Sequence, residues 1–186
     1  MLQGRQGRVS SIRRILILFF CFSYLTIGVA QSSGPEYPNN RLGFQYGTSD
    51  FIDVSYDYHW AGIQFSRFKP FSRKGYFIFQ PGLLVASYFP SPLEVEKKTG
   101  YEAGLNLGVG FLFSAWSVEL STGPYYLGAD IDRQVRGFLF NNQLYLKRQI
   151  QKHWSISMGF RHISNAEVRL PNGGINSLII GIDYSW

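Results

Sequence analysis

From Tyr101 to Phe113 the chain alternates with almost no break. Tyr101, Ala103, Leu105, Leu107, Val109, Phe111 and Phe113 are apolar, while Glu102, Gly104, Asn106, Gly108 and Gly110 between them are polar or small. A period of two is that of a β-strand, whose successive side chains point to opposite faces. The pattern recurs along the chain and predicts eight strands after Asn40. Leu42-Phe44-Tyr46 opens the first. Ile52, Val54, Tyr56, Tyr58 and Trp60 mark the second against Asp53, Ser55, Asp57 and His59, and the apolar parity then switches to Ile63 and Phe65, which predicts a bulge at Ala61-Gly62. Tyr76 to Phe89 forms the third, with parity undecided near Pro81-Gly82, and Tyr101–Phe113 the fourth. Trp116-Val118-Leu120 against Ser117-Glu119-Ser121 marks the fifth, and residues of about 135–148, 154–165 and 176–186 the last three.

A face so greasy on so many strands needs either a packed core or lipid. Aromatic residues make up 17% of the chain, yet mean hydropathy is only −0.07. Both values fit an all-β, eight-stranded antiparallel transmembrane β-barrel, whose strands alternate apolar and polar and so average to neutral. Segments of about ten residues or more suffice to cross a bilayer when tilted. Glu102, Asn106, Glu119, Arg161 and Asp183 fall on the inward parity and would fill a narrow lumen, which argues against a wide pore. A secreted soluble barrel would reverse the parities. Outward aromatics and the terminal run Leu178, Ile180, Ile182, Tyr184, Trp186 argue against it, and a terminal aromatic resembles the signal read by the barrel-assembly machinery.

The N-terminus reads as an export signal. Arg5, Arg8, Arg13 and Arg14 precede an apolar stretch from Ile15 to Ile27, and Gly28-Val29-Ala30 supplies small residues for cleavage. This predicts a signal peptide over 1–30 and an outer-membrane barrel over 31–186. Cys21, the single cysteine, would be discarded with the signal, leaving no thiol chemistry. Removing four arginines from 18 basic residues leaves 14 against 12 acidic, a net of +2, so the basic balance is no argument for nucleic acid. With the N-terminus in the periplasm, the connections near 90–99 and 166–175 are expected to face the cell exterior and the Ser114-Ala115 turn the periplasm.

The chemistry-bearing residues cluster near the C-terminus. His162 and Ser164 share one side of a strand with Trp154, Ile156, Met158 and Phe160, the lipid-facing side. A serine hydroxyl needs a base to take its proton, and histidine titrates in the right range. Pairing Trp154 with Trp186 would set Ser164 opposite Asn176 and His162 opposite Leu178, with cross-strand Cβ atoms about 4.5–5.5 Å apart. Asn176 could then accept from the second imidazole nitrogen, Asn165 could donate its amide N–H to a developing oxyanion, and the Ala166 backbone N–H could join it. Ester hydrolysis uses all these parts and needs no cofactor or metal.

Weaker signals have structural readings. His59 and His153 lack partners at metal-ligand spacing, and His153-Trp154 reads as a periplasmic rim. Asp53 and Asp57 read as inward polar filling, Lys97-Lys98 as a loop pair too small to define a phosphate site, and Asn172-Gly173-Gly174 as a turn tolerant of positive φ.

The motif His162-Ile163-Ser164-Asn165-Ala166, followed by Pro171-Asn172-Gly173-Gly174-Ile175, resembles the C-terminal signature of outer-membrane lipid A 3-O-deacylases of the PagL type, within the acyloxyacyl hydrolase family. The resemblance implies a barrel in the bacterial outer membrane that removes the ester-linked acyl chain at the 3 position of lipid A, with lipopolysaccharide of the outer leaflet as partner. The family's triad is serine, histidine two before it, and glutamate twelve after it. His162 and Ser164 match; Asn176 occupies the glutamate position, and Glu167 replaces a family glycine. Three readings stay open. Asn176 completes a weaker triad, Glu167 supplies the carboxylate from the loop, or the chain is an inactive structural or lipid-binding barrel.

Overall fold

The computed structural model describes residues 39–49, 57–89, 98–128, 136–165 and 174–186. The expected export signal, Cys21, Asp53, Lys97, Ala166, Glu167 and the Asn172-Gly173 pair lie outside the described residues.

Eight strands follow in order: β1 (Asn40–Thr48), β2 (Asp57–Pro70), β3 (Gly75–Phe89), β4 (Lys98–Phe113), β5 (Trp116–Leu127), β6 (Gly137–Gln149), β7 (Trp154–Ser164) and β8 (Ile175–Ser185). Each pairs antiparallel with the next, and β1 with β8 closes the barrel. Closure leaves no unpaired edge in the lipid, where an unsatisfied backbone group would be expensive. The connections at one end are short: residues 71–74, the Ser114-Ala115 turn with Ser114 at φ 59, and residues 150–153. The longer ones gather at the opposite end, together with the last residues of β7 and the first of β8.

Parity is as expected on β4, where Tyr101, Leu107, Phe111 and Phe113 face out and Glu102, Asn106 and Gly110 are buried. On β2 it differs. Tyr58 and Trp60 are buried in the lumen while Ile63 and Phe65 face out, and the ladders to β1 and β3 keep one register throughout. No bulge breaks this strand. The apparent parity switch arises because the lumen near the long-loop end is itself aromatic. Asp57 opens β2, and its side chain, expected to face inward, lies outside the described residues.

The lumen is filled by charge pairs and amides. Near the short-turn end, Arg41 donates twice to Glu119, 2.6 Å to each carboxylate oxygen, and the Tyr76 hydroxyl donates to the same group at 2.7 Å. Lys147 donates to Asp183 at 2.9 Å. Gln64, Gln80, Asn106, Asn141 and Gln143 hydrogen-bond across the middle. Beyond them Arg161 pairs with Glu102, donates to Asn141 Oδ1 at 2.7 Å and lies over the Trp60 ring at 4.8 Å; the Tyr58 hydroxyl also donates to Glu102. Buried charges are tolerable only when paired and hydrogen-bonded in this way. An apolar cluster including Ile163, Ile175, Ile179, Leu127 and Leu139 caps this end. Arg161 and Ile163 thus pin β7 from inside, fixing the outward residues His162 and Ser164 that flank Ile163.

Candidate active site on the outer wall

His162 projects from the outer wall one pair from the end of the β7–β8 ladder, directly opposite Asn176. Its Nδ1 lies 2.8 Å from Asn176 Oδ1. An amide oxygen only accepts, so Nδ1 carries a proton and donates, and in the neutral ring the lone pair falls on Nε2. Gly174 adopts φ +57, and a Cβ there would sit 2.9 Å from His162 Cε1 and 3.6 Å from Nε2. A side chain at 174 would therefore meet the imidazole edge in addition to straining the backbone.

The register corrects one expectation. Trp154 pairs with Tyr184, not Trp186, and the ladder is displaced by two residues: Phe160 lies opposite Leu178 and His162 opposite Asn176. The displacement keeps every side chain on its expected face, since a shift of two preserves parity. It brings Asn176 onto the imidazole instead of the serine, where an orienting group is needed.

Ser164 is the last residue of β7, half-buried on the same face as His162 and opposite Phe140 of β6. Two residues along a strand separate the pair by about 7 Å at the backbone, and no hydrogen bond joins them among the described residues. Asn165 follows the strand and is 3% exposed, with hydrogen-bonding or contact partners of its own.

Other histidines sit elsewhere. His153 Nδ1 donates to the Ser185 carbonyl at 2.8 Å beside Tyr184, at the short-turn rim as expected. His59 lies 2.6 Å from the Tyr46 hydroxyl and stacks on its ring.

Two wall residues escaped the sequence reading. Asn142 of β6 pairs with His162, and Thr122 of β5 pairs with Asn142. The Thr122 hydroxyl donates to Asn142 Oδ1 at 2.6 Å. The available signal was a polar residue on the outward parity between Phe140 and Leu144.

Comparison with known proteins bears directly on this constellation. The sequence matches the family "Lipid A 3-O-deacylase (PagL)" over residues 54–185. The chain belongs to this family. The matched span contains His162, Ser164, Asn165 and Asn176. As a PagL-family barrel, the protein resides in the bacterial outer membrane, in agreement with its apolar outer wall. It is similar to the crystal structure of the outer membrane enzyme PagL, with a TM-score of 0.58 and 14% identity, over 78% of this chain and 99% of that one. The Yersinia pestis outer membrane protein Ail, solved in a phospholipid bilayer nanodisc, superposes with a TM-score of 0.53 at 10% identity, over 81% of this chain and 100% of Ail. At these identities the likeness speaks for the eight-stranded fold alone. Among curated proteins no match is found.

Proposed function

We propose that this PagL-family member is an esterase that removes the 3-O acyl chain of lipid A by a serine–histidine mechanism. The observation that carries the reading is the His162–Asn176 hydrogen bond, which engages Nδ1 and frees Nε2 to act as the base on the same outward face as Ser164. Lipid A of the outer leaflet lies against that wall, so its ester can reach the serine without leaving the membrane.

In this mechanism Ser164 Oγ attacks the ester carbonyl as His162 Nε2 takes its proton. Nδ1–H stays on Asn176 Oδ1, the position held by glutamate in the family, and steadies the imidazolium. The Ala166 backbone N–H donates to the oxyanion, and the Asn165 amide joins it on turning out from its buried position next to Ser164. Collapse expels the sugar alkoxide, which receives the proton from His162, and leaves an acyl-serine. Water, deprotonated by the same nitrogen, then releases the fatty acid and restores the hydroxyl. Glu167 is the substitute acid if the loop brings its carboxylate to the ring. Residues 1–30 serve as export signal in this reading, and the aromatic end at Trp186 is recognised by the assembly machinery.

A second reading, an inactive lipid-binding barrel, is favoured by the amide at position 176 and the open His162–Ser164 contact. Purified protein in detergent micelles with lipid A separates the two. Fatty acid release that falls about 10³-fold or more in both Ser164→Ala and His162→Ala supports catalysis. Release absent from the folded wild-type barrel supports the inactive reading.

A further inference from the structure

The outer wall carries a polar row that extends well beyond the His162–Asn176 pair. In ladder register, Thr122, Asn142, His162 and Asn176 stand side by side on β5, β6, β7 and β8. At about 4.8 Å per strand the row spans about 14 Å. The next row toward the short turns, on the same strands, is Leu120, Leu144, Phe160 and Leu178. Leu107 of β4 continues the wall beside Thr122. Thr122 and Asn142 therefore interrupt an apolar belt well inside their strands, as the seventh residue of β5 and the sixth of β6.

Polar groups facing lipid are costly unless satisfied. Asn142 is satisfied on one side only. Its Oδ1 accepts from Thr122, which lies toward β5. Among the described residues the Asn142 Nδ2 has no hydrogen-bond partner. Asn142 lies directly across from His162 and diagonally from Ser164, whose own partner is Phe140. Cβ separations of about 5 Å and about 7–8 Å follow for these two relations. A carbonyl oxygen held between His162 and Ser164 falls within reach of an amide N–H projecting from Asn142.

We propose that Asn142 is a substrate-contacting residue whose amide N–H donates to the carbonyl oxygen of the lipid ester, and that Thr122 positions that amide. The inference rests on the deacylase reading and adds a donor on the outer face to those at Asn165 and Ala166. It also accounts for an asparagine in the lipid-facing wall: the acyl lipid supplies the missing acceptor.

Two measurements test it. In the first, lipid A deacylation by micellar protein is followed in wild type, Asn142→Leu, Asn142→Asp, Thr122→Val and Ser164→Ala, with folding checked by the gel mobility of unheated samples. Asn142→Leu extends the apolar belt and leaves the barrel folded. The expected result is a fall in kcat of about 10²-fold for both Asn142 variants with KM little changed, and about three- to tenfold for Thr122→Val. Activity of folded Asn142→Leu within about threefold of wild type, with Ser164→Ala inactive, overturns the proposal and leaves the deacylase reading intact.

The second measurement does not require turnover. Side-chain amide resonances of Ser164→Ala protein are recorded while a 3-O-acylated glucosamine phosphate, or its 3-O-alkyl ether analogue, is titrated in. Assignment uses the signal that Asn142→Leu removes. A downfield shift of the Asn142 amide protons with the ester but not the ether upholds the proposal even if wild type proves inactive. No shift, or the same shift with the ether, overturns it.

Discussion

Replacing Asn176 by aspartate should accelerate the reaction, and the structure sets the size of the gain. Asn176 Oδ1 already accepts from His162 Nδ1 at 2.8 Å, so the neutral amide selects the correct tautomer without help from charge. Aspartate has the same shape and places a carboxylate oxygen at the same point. The added stabilisation acts mainly when the imidazole becomes positive, in the transition state. Two unit charges with centres about 4 Å apart interact by about 4 kcal/mol at an effective dielectric of about 20. About half of that is lost to desolvation of the half-buried carboxylate and to the stronger ground-state bond it makes with neutral imidazole, leaving about 2 kcal/mol. At 1.36 kcal/mol per tenfold, kcat for Asn176→Asp should rise about 30-fold, with KM little changed. Steady-state release of fatty acid from lipid A in mixed micelles measures both constants. Asn176→Leu should move the other way, by about tenfold or more, as the ring loses its orienting acceptor. A folded Asn176→Asp barrel with kcat at or below wild type would refute the argument that Asn176 orients the base.

Further outcomes follow from other contacts. Gly174→Ala places a methyl against the His162 ring and a non-glycine residue at φ +57; about 1–2 kcal/mol of backbone strain is expected, with deacylation falling more than tenfold while the barrel still migrates as folded. Unchanged activity in that variant would contradict the close packing of Gly174 on the imidazole. Glu102→Leu strands the Arg161 guanidinium in the lumen, where both side chains are 0% exposed. A loss of about 3–5 kcal/mol in urea unfolding, followed by tryptophan fluorescence, is expected, and a loss under about 1 kcal/mol would show that Asn141 and the aromatic rings hold the cation unaided.

Much of this architecture was legible because a membrane barrel repeats one rule on every strand. Outward residues meet lipid and inward ones meet a packed polar lumen, so β4, β7 and β8 could be read from alternation alone. The rule fails where the lumen is not polar. Tyr58 and Trp60 wrap Arg161 and its neighbours, and their aromatic character mimicked a change of face on β2. Register was harder, because alternation is blind to a shift of two. Both candidate pairings put aromatics together at the short-turn rim. The structure resolves the choice with Trp154 against Tyr184, ring centroids 5.0 Å apart, and Tyr184 stacked near Trp186 at 6.0 Å. The lumen ion pairs were beyond the sequence, since Arg41 and Glu119 meet across the barrel 78 residues apart. At the site, His162 and Ser164 were visible as an i, i+2 pair in a greasy strand. Asn142 was not, because its significance comes from standing beside His162 on another strand.

The most direct test of the account is mass spectrometry of lipid A from cells producing the full chain or its Ser164→Ala variant, with both barrels shown folded in the outer membrane. Wild type is expected to lighten lipid A by the mass of one 3-O-linked acyl chain, and the variant to leave it intact. Identical spectra from the two would contradict the account and would make this a PagL-family barrel without the deacylase chemistry.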